Sequence, residues 1–383
     1  MTKTKLDTKF KLIFVILIVF TCLFVVFSFK SVINNSDINR IVNNAYERIS
    51  INNLIRNNNQ KNSKDIYNFN VYNVSSPINK FALLSVSILP DREFYYFQLP
   101  MIVKAWERIG FRTIVMIISS NFPIENRLAL KTIEYIKRFN AIVLYVDTPK
   151  HYEVIVSLVM RLFGGLLDDN IVKDEDFIIT SDSDLYPVDR KYYLYDEDLM
   201  KNDTCYLYNA YCCGPFWYKN KNYTMFPMGH IGMKKKYWRK VMNLENYKVN
   251  NTRLDSELVL KELRQFFSGV TNVNNNSLIN RGDNNWDMDQ KMISVNLHEH
   301  HLRTNKTFNL VKFEHNCRRL DRSEFNTLGY DMTQFCDIHA FHQEIYNKLD
   351  IMEKIFENMF DVETVFRIKN YHQEFVKIKF YLN

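Results

Sequence analysis

Between residues 81 and 180 short apolar runs alternate with longer amphipathic ones, and this alternation restricts the fold more than any other feature of the chain. Phe81–Leu89 (FALLSVSIL) predicts a buried strand stopped by Pro90-Asp91, and Phe94–Ile109 predicts a helix interrupted near Pro100, with Trp106 on its apolar side. Phe111–Ile118 (FRTIVMII) and Ala141–Val146 (AIVLYV) predict two more strands on either side of a helix over Ile124–Phe139. His151–Phe163 predicts a third helix closed by Gly164-Gly165, and Phe177–Thr180 (FIIT) a fourth strand. Strands apolar on both faces must be covered on both faces, and the intervening helices supply the cover. The expected architecture is therefore an α/β fold with a mostly parallel sheet flanked by helices. In such sheets ligands bind beyond the carboxyl ends of the strands, which is where chemistry is to be sought.

The segment ahead of this region bears on compartment. Leu12–Phe29 (LIFVILIVFTCLFVVFSF) is an uncharged run of 18 residues, about 27 Å of helix and close to the thickness of a thin membrane core. No small-residue cleavage site follows it, so an uncleaved signal-anchor is expected. Lys3, Lys5, Lys9 and Lys11 precede the run and only Lys30 lies close behind it, which leaves residues 1–11 as a cytoplasmic tail and the remainder in the lumen, a type II topology. Residues 30–79 are polar and Asn-rich, as a stem is, and 80–383 carry the folded part. Asn-x-Ser/Thr sequons at Asn34, Asn73, Asn202, Asn222, Asn250, Asn275 and Asn305 are compatible with a lumen.

Composition removes other classes. With 46% hydrophobic and 15% aromatic residues the chain is neither disordered nor fibrous. Of its net charge of +7, three charges lie in residues 1–11, so the folded part lacks the basic excess of a nucleic-acid binder. Beyond Cys22 there are Cys205, Cys212, Cys213, Cys317 and Cys336, an odd number that leaves at least one thiol unpaired or intermolecular. A bridge from Cys205, or from Cys212/Cys213, to Cys317 or Cys336 is expected in an oxidising lumen.

The FIIT strand runs directly into Ser181-Asp182-Ser183-Asp184-Leu185-Tyr186-Pro187. Two carboxylates one residue apart on an extended turn can face one hard cation, Mn²⁺ or Mg²⁺, able in turn to bridge a nucleotide diphosphate. Spacing alone is weak, since 24 Asp make four such triplets. Asp174/Asp176 precede the strand, Asp196/Asp198 lie in a charged stretch, and Asp287/Asp289 come far downstream. Only Asp182/Asp184 stand at the carboxyl end of a buried strand.

An N-terminal anchor, a polar stem and an α/β domain with a strand-DxD turn resemble the GT-A-fold glycosyltransferases of the Golgi. The resemblance extends over about residues 80–345, as architecture and spaced motifs. It implies a GT-A-like, Rossmann-type sheet and metal-dependent sugar transfer from a nucleotide-sugar donor. The acceptor would be a glycan, glycoprotein or glycolipid, and the location a Golgi or ER membrane. Carried over, Asp184 is the direct metal ligand and Asp182 its partner, at the metal or near the ribose. Phe226-Pro227-Met228-Gly229-His230-Ile231-Gly232-Met233 is similar to the glycine-containing strand that floors a donor-sugar pocket, which assigns Gly229 and His230 to the donor. Met228-Gly229-His230 departs from the usual Asn-Gly or Gly-Gly. Trp286-Asp287-Met288-Asp289-Gln290 is similar to the segment that opens a helix beneath sugar and acceptor, which makes Asp287 and Asp289 the candidate catalytic carboxylates. The family's late metal-binding His falls best on His339, with His342, or no His at all, as the alternatives.

Seven of nine histidines lie at or after His298. The HEHH run at 298–301 resembles a metal cluster by composition, but on a polar strand it reads as solvated, and HExxH is absent. Two other classes stand beside the transferase: a non-catalytic luminal protein that keeps the fold and binds a glycan or partner, and a luminal metal-dependent hydrolase or phosphotransferase using HEHH.

Overall fold

The computed structural model describes residues 79–194, 203–247, 255–268, 286–313, 318–325, 331–340 and 345–382. The expected anchor at 12–29, the stem before residue 79, Asp196/Asp198, Cys317 and His342 lie outside the described residues. Among the described residues no helix is long and apolar enough to cross a membrane.

The strands are β1 (Lys80–Ser87), β2 (Arg112–Ser119), β3 (Ile142–Asp147), β4 (Phe177–Thr180), β5 (Leu185–Pro187), β6 (Thr204–Leu207), β7 (Pro215–Tyr218), β8 (Lys221–Thr224), β9 (Ile231–Lys234), β10 (Asn309–Lys312), β11 (Arg318–Asp321) and β12 (Phe335–His339). Seven of them form one sheet in the order β10-β6-β9-β4-β1-β2-β3. Only β9 runs against its neighbours β4 and β6; the other pairs are parallel. The sheet is thus mixed and mostly parallel, as the alternation predicts.

The reason is visible in β1 and β2. Ala82, Leu84 and Val86 pack with Val115 and Ile117 into one core, while Phe81 and Leu83 pack with Ile114, Met116 and Ile118 into the other. Successive side chains point to opposite faces, so an unbroken apolar strand demands helices on both sides. One face is covered by α1 (Glu93–Phe97), α2 (Leu99–Arg108), α3 (Arg127–Arg138) and, late in the chain, α9 (Leu349–Met359) and α10 (Val362–Leu382). The other is covered by α4 (Glu153–Val159), α6 (Lys235–Val241), α7 (Ser256–Phe266) and α8 (Met288–Arg303); the short α5 (Arg190–Tyr193) follows β5. The Asn126 side chain accepts from Ala129 N–H at 3.0 Å and starts α3, and Lys137 and Arg138 end it against the negative end of the helix dipole.

The expected interruption of the helix over Phe94–Ile109 falls at Gln98, because Pro100 lies in the first turn of α2, where its missing N–H costs nothing. Two expectations need correction. The helix over His151–Phe163 begins at Glu153 and tightens after Val159 into a 3-10 segment, Met160–Leu166, that contains both glycines. A Cβ on Gly165 would lie 2.5 Å from the Arg239 backbone nitrogen, so α6 approaches closely only because there is none. The HEHH run is not on a strand. It belongs to α8, whose Met288, Met292 and Val295 recur on one buried face at helical spacing.

The cysteines also pair differently. Cys212 and Cys213 are joined to each other, Cys205 is buried and free, and Cys336 is disulfide-bonded.

Candidate active site at the carboxyl edge of the sheet

Two topological features concentrate side chains beyond the end of β4. Because β9 is antiparallel, the loop leading into it, Phe226–His230, lies at the carboxyl edge of β4. The Thr180 hydroxyl anchors that loop by donating to Met228 O at 3.0 Å and accepting from Ile231 N–H at 3.0 Å. The second feature is a small sheet, β11-β12-β5, in which β12 is parallel to β11 and antiparallel to β5. Its register sets His339 opposite Leu185 on one side and Asp321 on the other, and Ala340 N–H donates to Asp184 O at 2.9 Å. Residues more than 130 positions apart are thereby brought to the DxD turn.

Asp184 is buried, and its Oδ2 lies 3.5 Å from His339 Nε2. His339 Nδ1 is 3.4 Å from Asp321 Oδ2. Burial lowers the imidazole pKa, and the Asp184 carboxylate more than reverses this, so the net shift is upward. Arg322, the residue after β11, places Nη2 3.3 Å from Asp184 Oδ2 and also against His339 Nε2.

Asp182 faces another way. Its Oδ1 is paired with Arg161, and a Cβ on Gly229 would stand only 3.1 Å from its Oδ2, so the glycine is what lets the loop close over this carboxylate. Arg161 is buried in the 3-10 segment. Its Nη1 also donates to Ser181 O at 3.0 Å, and its Nη2 pairs with Asp289 Oδ2 at 3.0 Å. One guanidinium therefore joins the DxD turn to the first turn of α8. Burial opposes its charge, but the Asp182 and Asp289 carboxylates prevail and raise its pKa. Asp289 is 2% exposed, and burial pushes its carboxyl up to about 7, although Arg161 and the Gln290 N–H pull the other way. Asp287 sits at the N-cap of α8, ion-paired with Lys291 at 2.9 Å.

His230 turns inward. It is 2% exposed, its Nδ1 is 2.7 Å from Tyr193 Oη, and its ring stands edge-on to Trp106 at 5.3 Å. Tyr193 donates to Asp337 at 3.2 Å, and Asp337 takes two bonds from Arg319, at 2.6 and 3.0 Å. Burial holds the His230 pKa down to about 4, so the ring is neutral. Its place is a polar network under the turn.

Of the residues singled out from sequence, the fold brings Asp184 to His339 and Asp182 to Asp289 and Gly229. It does not unite Asp182, Asp184 and His339, because Arg161 turns Asp182 aside. Among the described residues no three His, Cys, Asp or Glu side chains gather around a common point. His298 stacks on Phe226, His300 packs on Phe308, and His301 Nδ1 is 2.7 Å from Phe308 O, so HEHH serves packing. Arg161 and Arg322 escaped sequence reasoning. Arg161 had a signal: a lone cation within VIVSLVMRLFGGLL that is too apolar to stay outside and so needs a carboxylate inside. Arg322, in a charged stretch, had none.

No family model matches the chain, and no curated protein matches it. Similar solved structures include the galactosyltransferase LgtC in complex with donor and acceptor sugar analogs, at 11% identity over 77% of this chain and 95% of that one, with a TM-score of 0.39. WbbM, a bifunctional glycosyltransferase, is 12% identical over 80% of this chain and 52% of that one, with a TM-score of 0.40. A glycosyltransferase involved in the glycosylation of the major capsid of PBCV-1 is 8% identical over 71% and 98%, with a TM-score of 0.32. Likeness at this level carries no inference about chemistry.

Proposed function

We propose that this chain is a metal-dependent glycosyltransferase, moving a sugar from a nucleotide-sugar donor to a glycan, glycoprotein or glycolipid. The observation that carries the reading is the approach of Asp184 Oδ2 and His339 Nε2 to 3.5 Å at the carboxyl edge of β4. A hard oxygen and an imidazole nitrogen this close suit Mn²⁺ or Mg²⁺, which bind to few protein groups and complete their sphere with water and phosphate oxygens. The fit is supported by the Arg322 guanidinium, a cation that lies against both atoms. Asp184 and His339 are then the protein ligands. A bound metal would supply Lewis-acid stabilisation of charge on a leaving diphosphate.

The chain's own groups divide the remaining work. Arg161 holds Asp182 and Asp289 at a fixed separation on two elements, so the donor meets a preset wall. Gly229 keeps the loop against Asp182 without a side chain in the way. Asp289, its carboxyl pushed up to about 7, can hold or release a proton close to neutral pH.

The test is release of nucleotide from a panel of nucleotide sugars by the purified full chain with Mn²⁺. Asp184→Asn is isosteric and should abolish release while the fold persists. Equal turnover in wild type and Asp184→Asn would sink the assignment. A second reading, a luminal binding protein without turnover, is favoured by the arginine partners of both motif carboxylates; binding of a donor with no release in any metal would establish it. The location proposed with the enzyme is a Golgi or ER membrane, anchored through 12–29 with the catalytic part luminal. Asn222 and Asn305 are exposed sequons, so endoglycosidase should lower the apparent mass of the expressed protein.

A further inference from the structure

We infer that Arg322 is an internal competitor of the metal ion, a tethered cation that must leave Asp184 and His339 before a divalent ion takes them. The inference rests on the metal reading above. The Nη2 group donates toward Asp184 Oδ2 at 3.3 Å and toward His339 Nε2, the same two atoms a metal would use. His339 Nδ1 lies 3.4 Å from the Asp321 carboxylate, and a proton held there would leave the Nε2 lone pair facing the guanidinium. A lone pair that accepts an N–H cannot bind a metal at the same time, and two cations at one point repel.

The grip is incomplete, which is what a displaceable group requires. Arg322 Nε and Nη1 are buried and make no hydrogen bond among the described residues, and each such unmet donor is a cost that leaving the site removes. The backbone stays in place when the side chain moves. Arg322 opens a 3-10 turn held by a capping box between Asp321 and Glu324, and Asp321 is still within β11. Metal affinity in this chain is therefore set by a difference: ligation gained minus the guanidinium contacts surrendered.

The experiment measures Mn²⁺ binding directly, by the loss of free-ion EPR signal on titration of the purified full chain. Arg322→Gln removes the competing charge and should bind Mn²⁺ at least about tenfold more tightly than wild type, the scale of one charged hydrogen bond no longer given up. Arg322→Met, similar in length and uncharged, gives the same reading should Arg322→Gln fail to fold. Asp184→Asn should bind little or none. Affinity in Arg322→Gln and Arg322→Met equal to or weaker than a measurable wild-type affinity would overturn the competitor role while leaving the metal site standing. Absence of binding in wild type and in every Arg322 variant would overturn the metal reading and this one with it.

Discussion

Burial of Asp289 and His230 sets up opposing responses to pH. The Asp289 carboxyl, raised to about 7 in the fold, ionises near ~3.9 in an unfolded chain. Between those values the folded chain holds a proton that the unfolded chain has lost, so this group makes stability fall as pH rises to about 7. His230 acts in the opposite sense. It is neutral in the fold down to about 4, whereas the free imidazole protonates near 6.5, so its contribution is complete above 6.5 and is lost as pH falls toward 4. Asp289→Asn removes the first slope, and urea unfolding of that variant should show a steeper gain in stability from about pH 4 to 6.5 than wild type. An unchanged profile would mean that the carboxyl titrates in its ordinary range. Arg161→Met leaves Asp182 and Asp289 without their shared cation and should cost roughly 3–5 kcal/mol, as breaking a buried ion pair does. A loss under ~1 kcal/mol, read from the urea midpoint, would show that water replaces the guanidinium. The carboxylates at this site were legible because Asp182 and Asp184 end a buried strand; their arginine partners come from elements that no local pattern connects to them.

The reversed strand is the element that closes the site. In β9, Gly232 lies beside Ile179 of β4, and a Cβ there would stand 2.4 Å from Phe177 Cζ. The Phe177 ring is 1% exposed and wedged between Phe111 and Tyr206, so it has nowhere to turn. Gly232→Ala should therefore destabilise by roughly 1–3 kcal/mol, the range for an overpacked core, with the loss seen as a lower urea midpoint. A neutral effect would show that β9 shifts freely and is no fixed floor for the Gly229 loop. Strands β1 to β4 could be read from sequence because each is apolar on both faces and bounded by turn residues. The HEHH run misled for a definable reason: its polar histidines hide the helical spacing of Met288, Met292 and Val295, which decides the element.

At the scale of the molecule the C-terminal helix is a structural part of the sheet's cover. Tyr371 of α10 donates to Phe97 O at 2.9 Å and lies 2.8 Å from the Thr132 hydroxyl, and Phe375 packs on Phe97 at 4.7 Å between centroids. A chain ending at Asp361 uncovers the core faces of α1 and α3 and should be insoluble or unfold without a cooperative transition. Cooperative unfolding of that truncated chain would show that α10 is dispensable. The pairing of Tyr371 with Phe97 crosses 274 positions, and no periodicity reports a contact at that range.

The sequence by itself determined the class of fold, a mostly parallel sheet with helices on both faces, because unbroken apolar strands leave no other way to keep water from their side chains. It also determined where to look, since Asp182 and Asp184 follow directly on the buried FIIT strand. Only the tertiary structure decided what those carboxylates meet. The return of β11 and β12 beside β5 brings Asp321, Arg322 and His339 to Asp184, and α8 brings Asp289 to Arg161. Those partners are chosen by strand register and helix docking, which are set by core packing summed over the whole chain and leave no mark in the spacing of the residues they bring together.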